Sequence, residues 1–255
     1  MLIKYIIFVI LLMNISNSFS GTIDPSIEDS KYIEYGKSFN CVGKICGISS
    51  DDKQYCASAV AISDRVILTA AHIIKDAKTC NITINEKTIK VINIQYPIEF
   101  EPNNFGHNDI AIGYCDDNIG LITYPELYET TDEIDKICSI SGYGITGTFQ
   151  TGAILSDDNR RAGLNIIDSI ENDLLICSPS GPGKKTSLEF MIASGDSGGG
   201  LFINNKLAGI NSCVMAIDKK PNSNYTDECG HTRISKFISW IKDRKIKLME
   251  KNNEK

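Results

Sequence analysis

Three polar side chains have the types and surroundings for shared chemistry. They are His72 in VILTAAHII (66–74), Asp109 in HNDIAIGY (107–114) and Ser197 in SGDSGGGLF (194–202). Singly, each has an ordinary explanation. A histidine on an apolar stretch is more often structural, an aspartate ahead of a strand is a turn former, and a glycine-rich run is a hairpin turn. Together they supply a nucleophile, a base and a carboxylate to orient that base, the set that acyl transfer requires. Gly195, Gly198, Gly199 and Gly200 surround the serine. Glycines allow positive φ and close backbone approach, so this turn can expose a hydroxyl and aim N–H groups at an oxyanion. The same pentapeptide also fits the G-x-S-x-G elbow of the α/β-hydrolases. Those enzymes run Ser, acid, His, whereas this chain runs His72, Asp109, Ser197, and the strands lack intervening helical patterns, so the elbow is rejected.

The elements that must position these residues read as short strands. CVGKICGI (41–48), YCASAVAI (55–62), RVILTA (65–70), CNITIN (80–85), TIKVINIQ (88–95) and DIAIGYC (109–115) are rich in Ile and Val and separated by turn-prone residues. A second set is KICSISGYG (136–144), NIIDSI (165–170), LLICS (174–178), GGLFIN (199–204), KLAGINSCVMAI (206–217) and HTRIS (231–235). Residues 116–133 read as a connector between the sets, and Gly21 to Ser38 as an extended lead-in. Only the end has helical periodicity, with Ile234, Phe237, Ile238 and Ile241 beside Trp240. The pattern predicts an all-β protein of two six-stranded antiparallel β-barrels with a C-terminal helix. The expected divisions are 1–20 leader, 21–120 first barrel with lead-in, 121–235 second barrel and 236–255 helix and basic tail.

LTAAH, NDIAI and GDSGG, in that order, resemble the three catalytic blocks of the chymotrypsin-like (trypsin-family) serine proteases. CSISGYG (138–144), LAGINSC (207–213) and ISKFISWI (234–241) extend the resemblance over most of residues 40–241. GYGITGTF and RRAGLN are similar to segments of exported bacterial members. The resemblance implies a secreted endopeptidase in which Ser197 attacks a peptide carbonyl, His72 carries the proton and Asp109 holds the imidazole. It implies an oxyanion hole from the N–H groups of Gly195 and Ser197, and Ser212 supporting the aspartate. Protein or peptide substrates follow, and neither metal nor organic cofactor is required.

The chain departs from the family pattern in several places. Met191 falls where a basic-specific enzyme has its pocket-base aspartate, so cleavage after Arg or Lys is not expected. Cys213 and Val214 replace the family's Trp and Gly, Asn211 stands where some glutamate-specific relatives carry histidine, and His231 lies on the expected pocket wall. These hints conflict, and the preferred residue is not readable from them. KYIEYGKSF lacks the family's Ile-Val-Gly-Gly-like activation start. The expectation is therefore activity once the leader is cut, rather than after a cut at Lys31 that frees Tyr32. The family's standard disulfides are absent, which leaves half-sites at Cys56, Cys138 and Cys177. Cys56–Cys80 and Cys213–Cys229 are the pairings expected in their place, and a Cys41–Cys46 bridge is not expected.

Composition narrows the setting. The chain has 255 residues, nine cysteines and a net charge of −6. Lys4, the apolar run YIIFVILLM (5–13) and the small residues Ser18 and Ser20 read as a secretory leader cut before Gly21. That run is short for a membrane span. The expected product is extracellular or periplasmic, free of the membrane, monomeric, and in a compartment where disulfides persist. The tail 242–255 carries a charge of +3 and the body 21–241 about −10, which argues against a nucleic-acid binder. The alternative is a catalytically silent binding protein on the same fold. Such proteins usually lose a triad residue, and all three are present here.

Overall fold

The computed structural model describes residues 21–253 apart from 103, 105, 156 and 181–184. The expected leader, 1–20, lies outside the described residues. The chain enters through a two-residue strand, β1 (Thr22–Ile23), and a helix, α1 (Asp29–Gly36). Six strands follow: β2 (Val42–Ser49), β3 (Gln54–Ser63), β4 (Val66–Thr69), β5 (Ala77–Ile84), β6 (Lys87–Gln95) and β7 (Ala111–Cys115). They close into an antiparallel barrel in the order β2-β3-β4-β7-β6-β5, with β5 returning to β2. A one-turn helix, α2 (Ala71–Ile74), links β4 to β5. Alternation makes the barrel: on β5, Cys80, Ile82 and Ile84 point inward, while Thr79, Asn81 and Thr83 face water.

The second half contains β8 (Ile137–Gly142), β9 (Thr146–Thr148), β10 (Gly152–Leu155), β11 (Arg161–Ile166), β12 (Ser169–Glu171) and β13 (Leu174–Cys177). It continues with β14 (Phe190–Met191), β15 (Gly200–Ile203), β16 (Lys206–Ala216) and β17 (Asp227–Arg233), and ends in the helix α3 (Ile234–Asn253). Seven strands form one sheet, β11-β8-β15-β16-β17-β13-β12, and four form another, β10-β9-β1-β14. This is consistent with the expected two barrels, the second being split between two sheets. α3 packs on β7 and β16 and contributes Ile234, Phe237, Ile241 and Leu248 to the core of the first half. None of the described helices is long and apolar enough to cross a membrane.

Two expectations are corrected. The lead-in is not wholly extended, because residues 29–36 are helical. Eight residues cannot sustain a helix alone, so its partners must hold it. Tyr32 is fully buried with its ring 6.3 Å from that of Phe190, Tyr35 Oη meets Ser139 Oγ at 2.7 Å, and Asp29 receives a bidentate pair from buried Arg161. The disulfide plan also differs. Cys56 is bonded to Cys46, since antiparallel register sets those two residues opposite each other on β3 and β2. Cys80 faces Gly47 instead and is a free thiol. Cys213 and Cys229 are free as well. Cys213 is opposite Gly230 and joins Leu174 and Ile176, while Cys229 is opposite Val214 and joins the core on the other face.

Candidate active site

The site lies where the ends of the first barrel's strands meet the glycine turn of the second half. β4 delivers the chain into α2, which presents His72. Asn108, at φ 52°, turns the backbone just before β7 and aims Asp109 back at it. This left-handed position suits asparagine, whose short side chain bonds locally: its Nδ2 donates to the Glu99 carbonyl at 3.1 Å. Asp109 is almost entirely buried. Its Oδ1 accepts the His72 backbone N–H at 2.9 Å, and its Oδ2 meets His72 Nδ1 at 2.7 Å and accepts the Ser212 hydroxyl at 2.6 Å. Thr232 Oγ1 donates to the Asp109 backbone carbonyl at 2.9 Å. Asp109 is thereby fixed from three elements, its carboxylate from two and its backbone from the third.

Electrostatics follow from that packing. Burial pushes the His72 pKa down, but the charge and hydrogen bond of Asp109 outweigh it, so the net shift is upward. Burial raises Asp109, yet the charge and hydrogen bond of His72 and the Ser212 hydroxyl together take it below the ordinary carboxylate range. The pair therefore favours imidazolium beside carboxylate.

Ser197 sits in a turn with Gly195 at φ 92° and Gly198 at φ 83°. A Cβ on Gly198 would lie 2.0 Å from Thr69 Oγ1 and 2.1 Å from the Ser58 carbonyl oxygen, so the two halves touch there and only glycine fits. Among the described residues, the N–H groups of Gly195 and Ser197 have no acceptor, while those of Asp196, Gly198 and Gly199 are all bonded. The Ser197 hydroxyl is bonded to the Ser212 carbonyl at 3.5 Å rather than to His72. Such catalytic contacts are often open before substrate arrives.

Asp196 is fully buried beneath this turn. Its Oδ1 accepts the Gly144 N–H at 2.7 Å, and its Oδ2 accepts those of Ala193 and Gly21, both at 2.8 Å. Gly21, the residue at the expected leader boundary, thus reaches the carboxylate next to Ser197. Tyr32, the alternative start, lies inside α1 with its side chain in the core.

The remaining expected residues spread over the second half. Met191 is buried on β14 and Val214 packs against the same core. Asn211 and His231 are both fully buried. Asn211 Nδ2 donates to the Ser141 carbonyl at 3.1 Å, which leaves Oδ1 to accept from His231 Nδ1 at 2.9 Å. His231 Nε2 lies 3.4 Å from the Cys229 sulfur. The Asn211 backbone also exchanges bonds with the turn that bears Ser197, through Gly198 N–H and the Gly199 carbonyl. Cys213 is buried, and burial together with the nearby Asp109 charge pushes its thiol pKa up.

Sequence reading missed Ser58. Its Oγ donates to the Gly195 carbonyl at 2.9 Å and accepts the Tyr143 N–H at 2.9 Å, and its own N–H reaches the Ser197 carbonyl at 2.9 Å. The available signal was one polar residue among the inward-facing apolar positions of YCASAVAI. No group of three or more His, Cys, Asp or Glu among the described residues is placed to hold a metal ion.

Comparisons with known proteins agree on the class. Over 91% of its length the chain superposes on a solved structure titled HL collagenase, covering 98% of that chain (TM-score 0.67, 16% identity). It also superposes on neuropsin of mouse brain (TM-score 0.64, 20% identity, 81% of this chain and 95% of that one). An inactivated protease paralogue of the scabies mite matches as well (TM-score 0.64, 17% identity, 83% and 96%). These likenesses establish a chymotrypsin-like fold. The Trypsin family model matches residues 35–241, and the chain belongs to that family of serine peptidases. A curated relative, a chymotrypsin of Phaedon cochleariae, is 27% identical over 213 residues, 76% of this chain and 73% of its own length. That relative is an insect enzyme, so the expected bacterial flavour of GYGITGTF and RRAGLN is unsupported.

Proposed function

We propose that the chain is a secreted serine endopeptidase that works through His72, Asp109 and Ser197. One observation carries this reading: Asp109, buried and fixed by His72, Ser212 and Thr232, holds the imidazole next to a glycine turn whose Gly195 and Ser197 N–H groups are free. Ser197 Oγ attacks the scissile carbonyl as His72 Nε2 takes its proton. The two free N–H groups receive the oxyanion, and the imidazolium, stabilised by Asp109, returns the proton to the leaving amine. Water repeats the sequence on the acyl-enzyme. The strand from Ser212 to Met215 pairs with extended substrate backbone. Met191 brings no charge, so substrates with Arg or Lys before the cut are disfavoured. The working form is a monomer.

Activation is proposed to accompany leader removal. A cut before Gly21 turns the N–H that now reaches Asp196 into an ammonium, and a charge-assisted bond is about twice as strong as a neutral one. No propeptide is needed in this scheme.

A second reading, a catalytically silent binding protein, draws on the Ser197 hydroxyl facing Ser212 rather than His72, and on the inactivated paralogue among the structural neighbours. A fluorophosphonate probe decides between the two. Labelling of folded protein at Ser197, lost in Ser197→Ala and after heat denaturation, supports the enzyme. No adduct at neutral pH overturns it.

A further inference from the structure

Three buried thiols lie together in the second half, on β8, β13 and β17. Cys138 Sγ and Cys177 Sγ are 3.9 Å apart, and both residues are buried. We propose that the exported protein carries a second disulfide, Cys138–Cys177. The proposal rests on the secretion reading above, because an oxidising compartment must supply the oxidant.

Topology says what such a bond would do. β8 and β13 are not hydrogen-bonded neighbours, since β15, β16 and β17 stand between them in the sheet order. Their thiols meet only because the sheet curls and brings its inner face across the core. Backbone hydrogen bonds close the first barrel but leave this sheet open, and a Cys138–Cys177 bond ties the curl with a covalent cross-link. An ordinary S–S bond is about 2.05 Å long, so each sulfur need move only about 1 Å. Cys229 is the competing partner, being opposite Cys177 on β17. Its sulfur is already engaged, with the Cys177 carbonyl at 3.4 Å and His231 Nε2 at 3.4 Å. Cys138 makes a weaker contact with the Asn165 carbonyl at 3.5 Å and faces Cys177.

The chemistry is thiol–disulfide exchange. During folding, while both residues are still exposed, one thiolate attacks a disulfide of the export compartment, protein-borne or glutathione disulfide, and forms a mixed disulfide. The second thiolate displaces the carrier sulfur. Two protein thiols become one disulfide, two electrons pass to the carrier disulfide, and that carrier leaves as two thiols.

Peptide mapping of the full chain expressed with residues 1–20 in its native host, alkylated on harvest and digested with trypsin without reductant, tests this directly. Tryptic cleavage separates the sites: Cys138 falls in 137–160, Cys177 in 162–184, Cys213 in 207–219 and Cys229 in a fragment ending at Arg233. The expected product is 137–160 joined to 162–184, alongside the Cys46–Cys56 link. A Cys46–Cys56 link with Cys138 and Cys177 both alkylated overturns the proposal while leaving secretion standing, and so does Cys177 joined to Cys229. Alkylation of all four residues, Cys46 and Cys56 included, removes the secretion reading and the proposal with it. As a second readout, Cys138→Ala, Cys177→Ala and the double variant should each lower Tm by the same amount, about 8–16 °C for a loop of this size. Losses that add in the double variant would mean packing alone and would overturn it.

Discussion

The two halves of the molecule hold their shares of the site by different means. The first half closes its barrel through a full circle of backbone hydrogen bonds, with the Cys46–Cys56 disulfide between two of its strands, and His72 and Asp109 lie just beyond the ends of strands that this ladder fixes. In the second half the sheet stays open, and the turn bearing Ser197 depends on partners distant in sequence. Ser58 crosses from the other half, Asn211 bonds it from β16, and Asp196 gathers N–H groups from Gly21, Gly144 and Ala193. The comparison teaches that the His72–Asp109 pair rests on a closed ladder, with Ser212 and Thr232 completing its hold, whereas the turn that bears Ser197 is assembled from individual contacts. Damage to the second half should therefore reduce activity before it reduces stability.

The most severe test removes the chemistry itself. Ser197→Ala should lower kcat by about 10⁶-fold and Asp109→Asn by about 10⁴-fold, the scale of such changes in well-studied triads. Both variants should keep the wild-type circular dichroism spectrum, and a peptide substrate followed by mass spectrometry reads the loss. Next comes the clamp beneath the turn. In Gly21→Ala the new methyl would lie 2.0 Å from the Phe190 ring, so the nitrogen of residue 21 is driven off Asp196. An activity loss on the order of 100-fold is expected, about 2.7 kcal/mol in transition-state stabilisation, with fluorophosphonate labelling slowed in parallel. Unchanged labelling would break the link between Gly21 and the nucleophile turn.

Ser58→Ala is milder. It removes the partner of the half-buried Tyr143's N–H and the bond to Gly195, at a cost of about 1–3 kcal/mol. In a chain of this size that corresponds to a Tm fall of about 3–10 °C, measurable by calorimetry. The smallest effect is a shift in the pH profile. His72 must be neutral to accept the Ser197 proton, and Asp109 holds its pKa above the ordinary value of about 6.5. The kcat/KM of the wild type should therefore fall tenfold per pH unit as pH drops through a midpoint above about 6.5. Ser212→Ala weakens the hold on the Asp109 carboxylate and should move that midpoint by less than about one unit.

The sequence made much of this legible, for identifiable reasons. The strands of the first barrel read correctly because each is a short run rich in Ile and Val bounded by turn-prone residues, reinforced by alternation in residues 80–85, and that is local information. The segments around His72, Asp109 and Ser197 read because motif and chain order are local too. Features decided by a distant partner did not. α1 exists because Arg161 and Phe190 receive it, and nothing within 29–36 announces them. Cys46–Cys56 follows from register, which a list of nine cysteines does not contain. Thr22–Ile23 is too short to carry a pattern, yet it pairs with β9 and β14. Ser58 looked like an ordinary polar residue until its partners in the other half were in view, and Asn108 until its left-handed turn and its bond to Glu99 were.

Gly21 has a consequence for how the protein would be made. Its nitrogen touches Asp196, and its α-carbon lies so near Phe190 that no side chain fits. Under the proposed activation, a leader cut one residue early would leave the Gly21 nitrogen an uncharged amide, and one residue late would remove it and leave Thr22 short of the carboxylate. Leader processing would then act as a ruler accurate to a single residue. Ragged N-termini in a purified batch would show up as a lowered fraction of active molecules, at unchanged mass yield and unchanged fold.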